Sequence, residues 1–338
     1  MTPSAVHFDD AVWHPDELGD HFEYADIPLG PDPEGEGEAV ATLVRHLPDE
    51  PTGKPALVWV HGMTDYFFQD HVTRFFAGEG YPFYAVDLRK CGRARHKGQT
   101  WHYAEDLEHY FPDLSAVAQM LTERHGSFVP IAHSTGGLIV PLWADHVRRT
   151  APEIHQGLAG IVLNSAWLDM MYPQWALTLA TPLIKFFGKR WPRIAIPGGN
   201  LGSYGKSIHS SAHGQWDFDL AKKPLGGHEK YLGWVRAVMA GHAQIHRGDI
   251  NVGVPVLSLC SNKSYLNKPY SAAADTADTV LDVEQIQRWS PRLSHDVRVV
   301  EILGARHDVF LSLENPRQQA FHTTLRWLSH VSEQGHGN

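Results

Sequence analysis

A chain of 338 residues with 43% apolar, 20% charged and 11% aromatic residues has material for one large packed domain or two smaller ones and is neither disordered nor collagen-like. Its 29 basic residues against 38 acidic ones give a formal charge of −9, and the basic residues form no long run, which excludes nucleic acid as an expected partner because phosphates require a basic face. Cys91 and Cys260 make neither a disulfide framework nor a C-x-x-C pair and read as reduced, buried thiols.

The opening stretch MTPSAVHFDDAVWHPDELGD has no basic segment followed by an apolar one, so no signal peptide is expected and the expected compartment is the cytoplasm. His21 to Leu47 holds two strand-like pieces around the turn-rich GPDPEGEGE and predicts an antiparallel hairpin at a sheet edge. Short apolar runs then recur at Ala56 to Val60, Phe83 to Val86, Phe128 to Ala132, Leu158 to Leu163, Pro255 to Leu259 and Val297 to Leu303. Runs this short and apolar on both faces read as parallel strands buried from both sides. Helical patterns lie between them: Val72, Phe75 and Phe76 before Gly78, and Leu114, Val117 and Leu121 before Gly126. A closing helix has Asn315 as N-cap, Pro316 at N1, and Phe321, Leu325 and Leu328 facing inward. Alternating strand and helix argue an α/β fold, a doubly wound and mostly parallel sheet.

The rhythm fails once. From Trp167 to Asn251 the chain offers apolar helical pieces and then a Gly-, Pro- and aromatic-rich stretch with no buried-strand signal, which reads as an inserted cap (167–251) between two parts of a core (1–166 and 252–338). Trp167 to Phe187 is the most apolar stretch, but Asp169, Pro173, Gln174, Pro182 and Lys185 interrupt it, so no transmembrane segment is expected.

The run from Phe128 leads straight into His133-Ser134-Thr135-Gly136-Gly137, and the helical run LIVPLWADHV follows. A serine on a sharp strand-to-helix turn has its hydroxyl pushed out above the sheet, beside the unpaired amides of the helix's amino end, and must have small neighbours. That makes Ser134 a candidate nucleophile. The nucleophile-elbow pattern places glycine two residues before the serine, and here Ala132 stands there, one methyl group larger.

A serine hydroxyl needs a base. Among 23 histidines, His307 is chosen by position: it follows the last strand in Gly304-Ala305-Arg306-His307-Asp308, on a loop at the carboxyl end of the sheet. The third member must be a carboxylate that fixes the imidazole's tautomer, and it should follow the strand Pro255 to Leu259. The loop after that strand offers Asp275, Asp278 and Asp282. Asp278 is preferred because a helix pattern (Val283, Ile286, Trp289) begins soon after it, whereas Asp275 and Asp282 read as a loop carboxylate and a helix N-cap. The strand Ala56 to Val60 continues as His61-Gly62-Met63-Thr64, where Gly62 lets the backbone come close, so the amides of Met63 and Thr135 are the candidate oxyanion donors. His242 and His246 have helical spacing but no surrounding H-E-x-x-H, and no metal site is expected.

With His61-Gly62, Asp87-Leu88-Arg89-Lys90-Cys91-Gly92-Arg93, the Ser134 segment, Asp278-Thr279-Val280-Leu281-Asp282 and His307 in this order, the chain resembles the α/β-hydrolase superfamily from about His21 to Leu328. The branch it looks most like is that of lysophospholipases, monoacylglycerol lipases and serine aminopeptidase-like enzymes. The resemblance implies Ser134 as nucleophile, Asp278 as acid, His307 as base, and Met63 and Thr135 as oxyanion donors. It implies acyl transfer from an ester to water with no cofactor. Serine rather than aspartate as nucleophile separates the chain from haloalkane dehalogenases and epoxide hydrolases of the same fold, but not from carbon–carbon bond hydrolases or peptidases. A non-catalytic binding protein of this fold would need no nucleophile, acid and base together. The aromatic and aliphatic content of 167–251, with Trp175 and Phe186 singled out as substrate-binding residues, suggests an apolar roof for a small, hydrophobic ester. An aminopeptidase would call for a carboxylate pair, and none stands out from Asp169, Asp217, Asp219 and Glu229.

Overall fold

The computed structural model describes residues 6–197 and 201–335; residues 198–200, within the Gly- and Pro-rich stretch of the 167–251 segment, lie outside the described residues, as do both ends of the chain. Strands β1 (His14–Pro15), β2 (Phe22–Pro31), β3 (Glu38–His46), β4 (Ala56–Val60), β5 (Phe83–Asp87), β6 (Phe128–His133), β7 (Ile161–Asn164), β10 (Val256–Ser261) and β11 (Val297–Ile302) form one nine-stranded sheet in the order β1-β2-β3-β5-β4-β6-β7-β10-β11. From β5 to β11 all neighbours run parallel, while β1, β2 and β3 are joined to each other and to β5 antiparallel. The expected edge hairpin is β2–β3.

Alternation along the central strands assigns side chains to two cores. Ala56, Val58 and Val60 of β4 belong to one, packed with α2 (Phe111–His125) and α3 (Gly136–Thr150). Leu57 and Trp59 belong to the other, packed with α1 (Asp70–Gly78) and α9 (Glu314–Gly335). Burial on both faces is why these strands read as continuous apolar runs. Two boundaries differ from expectation. β11 is an edge strand, and Arg298 and Glu301 on it are exposed, so it is not buried from both sides. Helix α9 begins at Glu314, which puts Asn315 and Pro316 inside the first turn, where a missing N–H costs nothing.

Between β7 and β10 the chain leaves the sheet through α5 (Gln174–Arg190), a two-residue ribbon of β8 (Ala195–Ile196) with β9 (Lys230–Tyr231), α6 (Gly202–Ile208) and α7 (Leu232–Arg247). Trp234, Val238 and Ile245 of α7 sit in the first core, so this end of the excursion is part of the main packing. The short α4 (Pro152–His155) precedes β7, and α8 (Val283–Trp289) precedes β11. No helix among the described residues is long and apolar enough to cross a membrane.

The acidic turn of the β2–β3 hairpin folds around Lys90, which follows β5 and is fully buried. Its ammonium lies 2.8 Å from Glu34 and 3.0 Å from Asp32. Burial alone would push the Glu34 carboxyl up, but hydrogen bonds from His109, Lys90 and the Glu105 amide hold it well below the ordinary carboxylate range. Removing one partner of such a cluster leaves a buried charge uncompensated, so Lys90→Met is expected to cost about 3–5 kcal/mol in a urea melt. Because ionised Glu34 is favoured in the folded state, its share of the stability is complete above about pH 5 and drains as the pH falls toward its depressed value, and pH-dependent melts check the sign.

Candidate active site

Ser134 occupies the turn between β6 and α3 in the left-handed region, with φ of 53°. A non-glycine residue there costs about 1–3 kcal/mol and persists only where its surroundings over-determine it. Here they do. The Ser134 amide donates to Asn164 O at 3.0 Å, and the Ser134 carbonyl accepts from the amides of Gly137 and Trp167 at 3.0 and 2.9 Å. A methyl group on Gly136 would lie 2.5 Å from the His61 carbonyl, and one on Gly62 would lie 2.8 Å from Ser134 Cβ, so both positions require glycine. Ala132, by contrast, is buried with its methyl in the first core, which is why the larger residue is tolerated there.

His307 stands on the loop after β11, whose backbone is pinned by Ser261 Oγ donating to Ala305 O at 2.7 Å. Its Nδ1–H donates to Asp278 Oδ2 at 2.9 Å, which leaves Nε2 to accept from Ser134 Oγ at 3.0 Å. Asp278 is fully buried, and its other oxygen accepts the amides of Val280 and Leu281, both at 2.8 Å, so the carboxylate is fixed before it meets the imidazole. The long loop after β10 is also explained. Asp278 pairs back to the strand's exit, its amide donating to Lys263 O and its carbonyl accepting from the Tyr265 amide, so the residues in between form an excursion that returns the acid to the end of β10. Asp275 pairs with Arg306 at 2.9 Å, and Asp282 caps α8 by accepting from the Glu284 amide. Neither touches His307.

Met63, Ser134 and Thr135 line one cavity, and neither the Met63 nor the Thr135 amide donates to a protein acceptor among the described residues. Two free amides beside a serine hydroxyl can stabilise a developing oxyanion. The cavity measures about 820 Å³, and its walls are largely apolar, with Trp167, Met170, Trp234 and Met239 prominent. Helix α5 presents Ala176, Leu177, Ala180 and Ile184 to it. Trp175 and Phe186 do not line it: they lie on the opposite face of α5, 71% and 65% exposed, because the helix is apolar on more than one side and composition does not tell which side turns inward.

Three wall residues had no assigned role in the sequence. Asp65, two residues after Met63, accepts from His133 Nδ1 at 3.1 Å and from Lys223 Nζ at 2.6 Å. Burial alone would push its carboxyl up, and the Lys223 ammonium with the His133 hydrogen bond holds it well below the usual carboxylate range. Tyr204 of α6 sets its ring edge-on to His307, with centroids 5.3 Å apart. Asp65 stands in the His61-Gly62 segment and was visible as a neighbour of the loop; Lys223 and Tyr204 come from the excursion, where no pattern marks them.

The histidine pairs do not make a ligand set. His242 and His246 have their Nε2 atoms on the carbonyls of Trp167 and Leu168, both at 2.9 Å, and burial pushes His242 down to about 3. His61, Cys91 and His102 cluster within 4.8 Å, but both ring nitrogens of His61 are committed, to Gly62 O and the Leu88 amide, and burial pushes the Cys91 thiol well up.

Residues 51–314 match the model of the family described as serine aminopeptidase, S33. No curated protein sequence matches the chain. In three dimensions it is similar to a soluble variant of the monoglyceride lipase of Saccharomyces cerevisiae in complex with a substrate analogue, at 17% identity and a TM-score of 0.63, over 94% of this chain and 99% of that one. It is likewise similar to the monoacylglycerol lipase of Paleococcus ferrophilus (20% identity, TM-score 0.59, 82% of this chain and 96% of that one). A highly thermostable carboxyl esterase of Bacillus coagulans in complex with glycerol is a third (14%, 0.61, 91% and 99%). At these identities the likeness is one of fold, and together with the family match over most of its length it shows that the chain belongs to the serine aminopeptidase S33 family of α/β hydrolases.

Proposed function

We propose that the chain is a serine hydrolase that cleaves carboxylic esters of hydrophobic acyl groups through an acyl-enzyme. One observation carries this reading: Ser134 Oγ, 3.0 Å from His307 Nε2, opens onto a cavity whose walls are largely apolar. The neighbours of similar fold, two monoacylglycerol lipases and a carboxyl esterase, are in keeping with it.

In the proposed cycle His307 Nε2 takes the proton of Ser134 as Oγ attacks the ester carbonyl, and the amides of Met63 and Thr135 receive the oxyanion. The tetrahedral intermediate collapses, His307 returns the proton to the leaving alcohol, and the serine is left acylated. Water, deprotonated by the same imidazole, then releases the acid. Asp278 keeps the proton on Nδ1 and stabilises the imidazolium, and loss of such a carboxylate drops turnover about 10⁴-fold in other triads. Each oxyanion amide contributes on the order of 10²–10³. Residues 167–251 act as a cap over the cavity, carried by core segments 1–166 and 252–338, and the two buried free thiols agree with a cytoplasmic setting.

Peptide cleavage at a free amino terminus is disfavoured by the cavity's charge. Asp65 is the one carboxylate on its wall among the described residues, and it is already paired with Lys223 and His133. Asp169, Asp217, Asp219 and Glu229 are not on that wall.

Ser134→Ala is expected to abolish both ester turnover and labelling by a fluorophosphonate while leaving the melting transition in place; labelling that persisted on another serine would reject the assignment. Asp278→Asn is expected to lower kcat by about 10⁴, whereas Asp282→Asn is expected to change stability by no more than about 1 kcal/mol and leave kcat alone.

Filling the cavity from α5 tests the acyl-chain part. Ala180→Phe is expected to shift the ratio of kcat/KM for long against short esters by about ten- to a hundredfold, with fluorophosphonate labelling unchanged, since the new ring displaces methylenes of the acyl chain and stays clear of the serine. An equal slowing of every ester would count against it.

Lys223 ties the proposed cap to the loop that carries Met63. Lys223→Met is expected to destabilise by about 3–5 kcal/mol, and adding Asp65→Asn is expected to restore most of that stability without restoring kcat, as denaturant melts and steady-state kinetics on both variants will show.

A further inference from the structure

The His307 imidazole is held by two hydrogen bonds, from Nδ1–H to Asp278 and from Ser134 Oγ to Nε2. Acylation removes the second, because an acylated Oγ has no proton to give. The bond through Nδ1 then remains, and the torsion that turns an imidazole has broad wells, so one bond fixes the ring poorly. Yet this is the half of the cycle in which Nε2 must aim at water.

Two aromatic rings flank the imidazole. The His133 ring lies 4.9 Å from it, tilted by 54°, and the Tyr204 ring lies 5.3 Å from it at 85°. Both trace back to one carboxylate: Asp65 accepts from His133 Nδ1 and from Lys223 Nζ, and the Lys223 ammonium lies 5.4 Å from the centre of the Tyr204 ring. Tyr204 is buried in a cluster with Tyr66, Phe68, Ile208 and Leu311. Ser207 Oγ donates to the Tyr204 carbonyl at 2.7 Å, and a methyl group on Gly205 would run into the Leu225 carbonyl, so the backbone of α6 is tightly packed where it carries the ring. The Tyr204 hydroxyl is buried and meets no hydrogen-bond partner among the described residues. What Tyr204 offers the base is therefore its ring.

We propose that Tyr204 is a positioning residue for deacylation: its ring confines the His307 imidazole while Ser134 is acylated, so that Nε2 stays aimed at the attacking water. In that step the water oxygen bonds to the acyl carbon as a water proton passes to Nε2. The tetrahedral intermediate then expels Ser134 Oγ, which takes the proton back from Nε2, and the acid leaves. Both proton transfers go through Nε2, and a misplacement of about 1 Å costs on the order of 10²-fold. In the free enzyme the Ser134 bond holds the ring as well, so acylation depends on Tyr204 far less. The second half of the cycle thus draws on a residue of the proposed cap. This inference rests on the acyl-enzyme reading above.

The test uses the full chain and a water-soluble p-nitrophenyl ester of a short acid. Acylation is read from kcat/KM and the rate of fluorophosphonate labelling, and deacylation from the decay of the acyl-enzyme in a single turnover. Tyr204→Leu is expected to slow that decay about ten- to a hundredfold and to lower kcat and KM together, with kcat/KM and the labelling rate within about twofold of the parent. Tyr204→Phe is expected to restore the decay rate and, freed of the unpaired hydroxyl, to melt higher than the parent. Ile208→Ala, in the same cluster but off the cavity wall, is expected to melt lower and deacylate at the parent rate. Tyr204→Met, flexible and without a flat face, is expected to deacylate as slowly as Tyr204→Leu, which keeps the comparison open if one of the two fails to fold. Deacylation at the parent rate in either would overturn the proposal, as would a Tyr204→Phe as slow as they are or an Ile208→Ala that loses as much. A parent that forms no acyl-enzyme overturns the serine reading along with it, whereas an acyl-enzyme that forms in the parent and decays equally fast in the variants removes the positioning role alone.

Discussion

The site depends on how closely two adjacent strand exits approach each other. β4 and β6 are parallel neighbours, and beyond Val60 and His133 their chains turn at the same edge of the sheet with only glycine between them: Gly62 against Ser134, and Gly136 against the His61 carbonyl. This contact sets the left-handed turn of Ser134, puts Met63 and Thr135 on the wall of the same cavity as Ser134, and leaves the hydroxyl facing His307 on the loop after β11. The conformational cost, about 1–3 kcal/mol for the turn, is offset by three backbone hydrogen bonds that Ser134 makes to Asn164, Gly137 and Trp167.

Around that contact, buried charges hold the loops by their backbones. Asp87, at the end of β5, accepts the Phe67 amide with one oxygen and the Arg93 amide and guanidinium with the other, so the Asp87 to Arg93 segment braces the loop after β4 and does not reach the cavity. Asp308, next to His307, accepts from Gln69 and Asn164, and Asn164 in turn accepts the Val309 amide. These groups are satisfied from several sides, the condition under which buried carboxylates stabilise rather than strain a fold. The proposed base therefore sits on a loop whose neighbours are tied to three different strands or their exits.

What could be read from the sequence followed what is periodic or positional. Strands buried on both faces appear as apolar runs, and the order of their exits points to Ser134 and His307. Asp278 was harder because its loop makes an excursion before returning to β10, and only the bridge to Ser264 shows why the return point is the one that matters. Lys223 and Tyr204 gave no signal, since they reach the site from a segment whose path no local pattern sets. Trp175 and Phe186 misled for a related reason. A hydrophobic side chain announces that it will be covered by something apolar, and on a helix apolar on several faces it does not say by what.

That ambiguity in α5 also distinguishes the two ends of the proposed cap. At its carboxyl-terminal end α7 shares the first core through Trp234 and Val238. Along the rim, Trp216 donates to the Leu311 carbonyl and stacks on His71, Lys223 meets Asp65, and Arg193 pairs with Glu36. Helix α5 rests on α7 at Gly188 and lines the cavity through Ala176, Leu177, Ala180 and Ile184. Its inner side meets the cavity through apolar side chains while much of its outer side meets solvent. The same helix therefore combines an apolar wall of the cavity with the densest run of exposed apolar side chains among the described residues. A path for a long acyl chain between the outside and Ser134 needs both properties in one place.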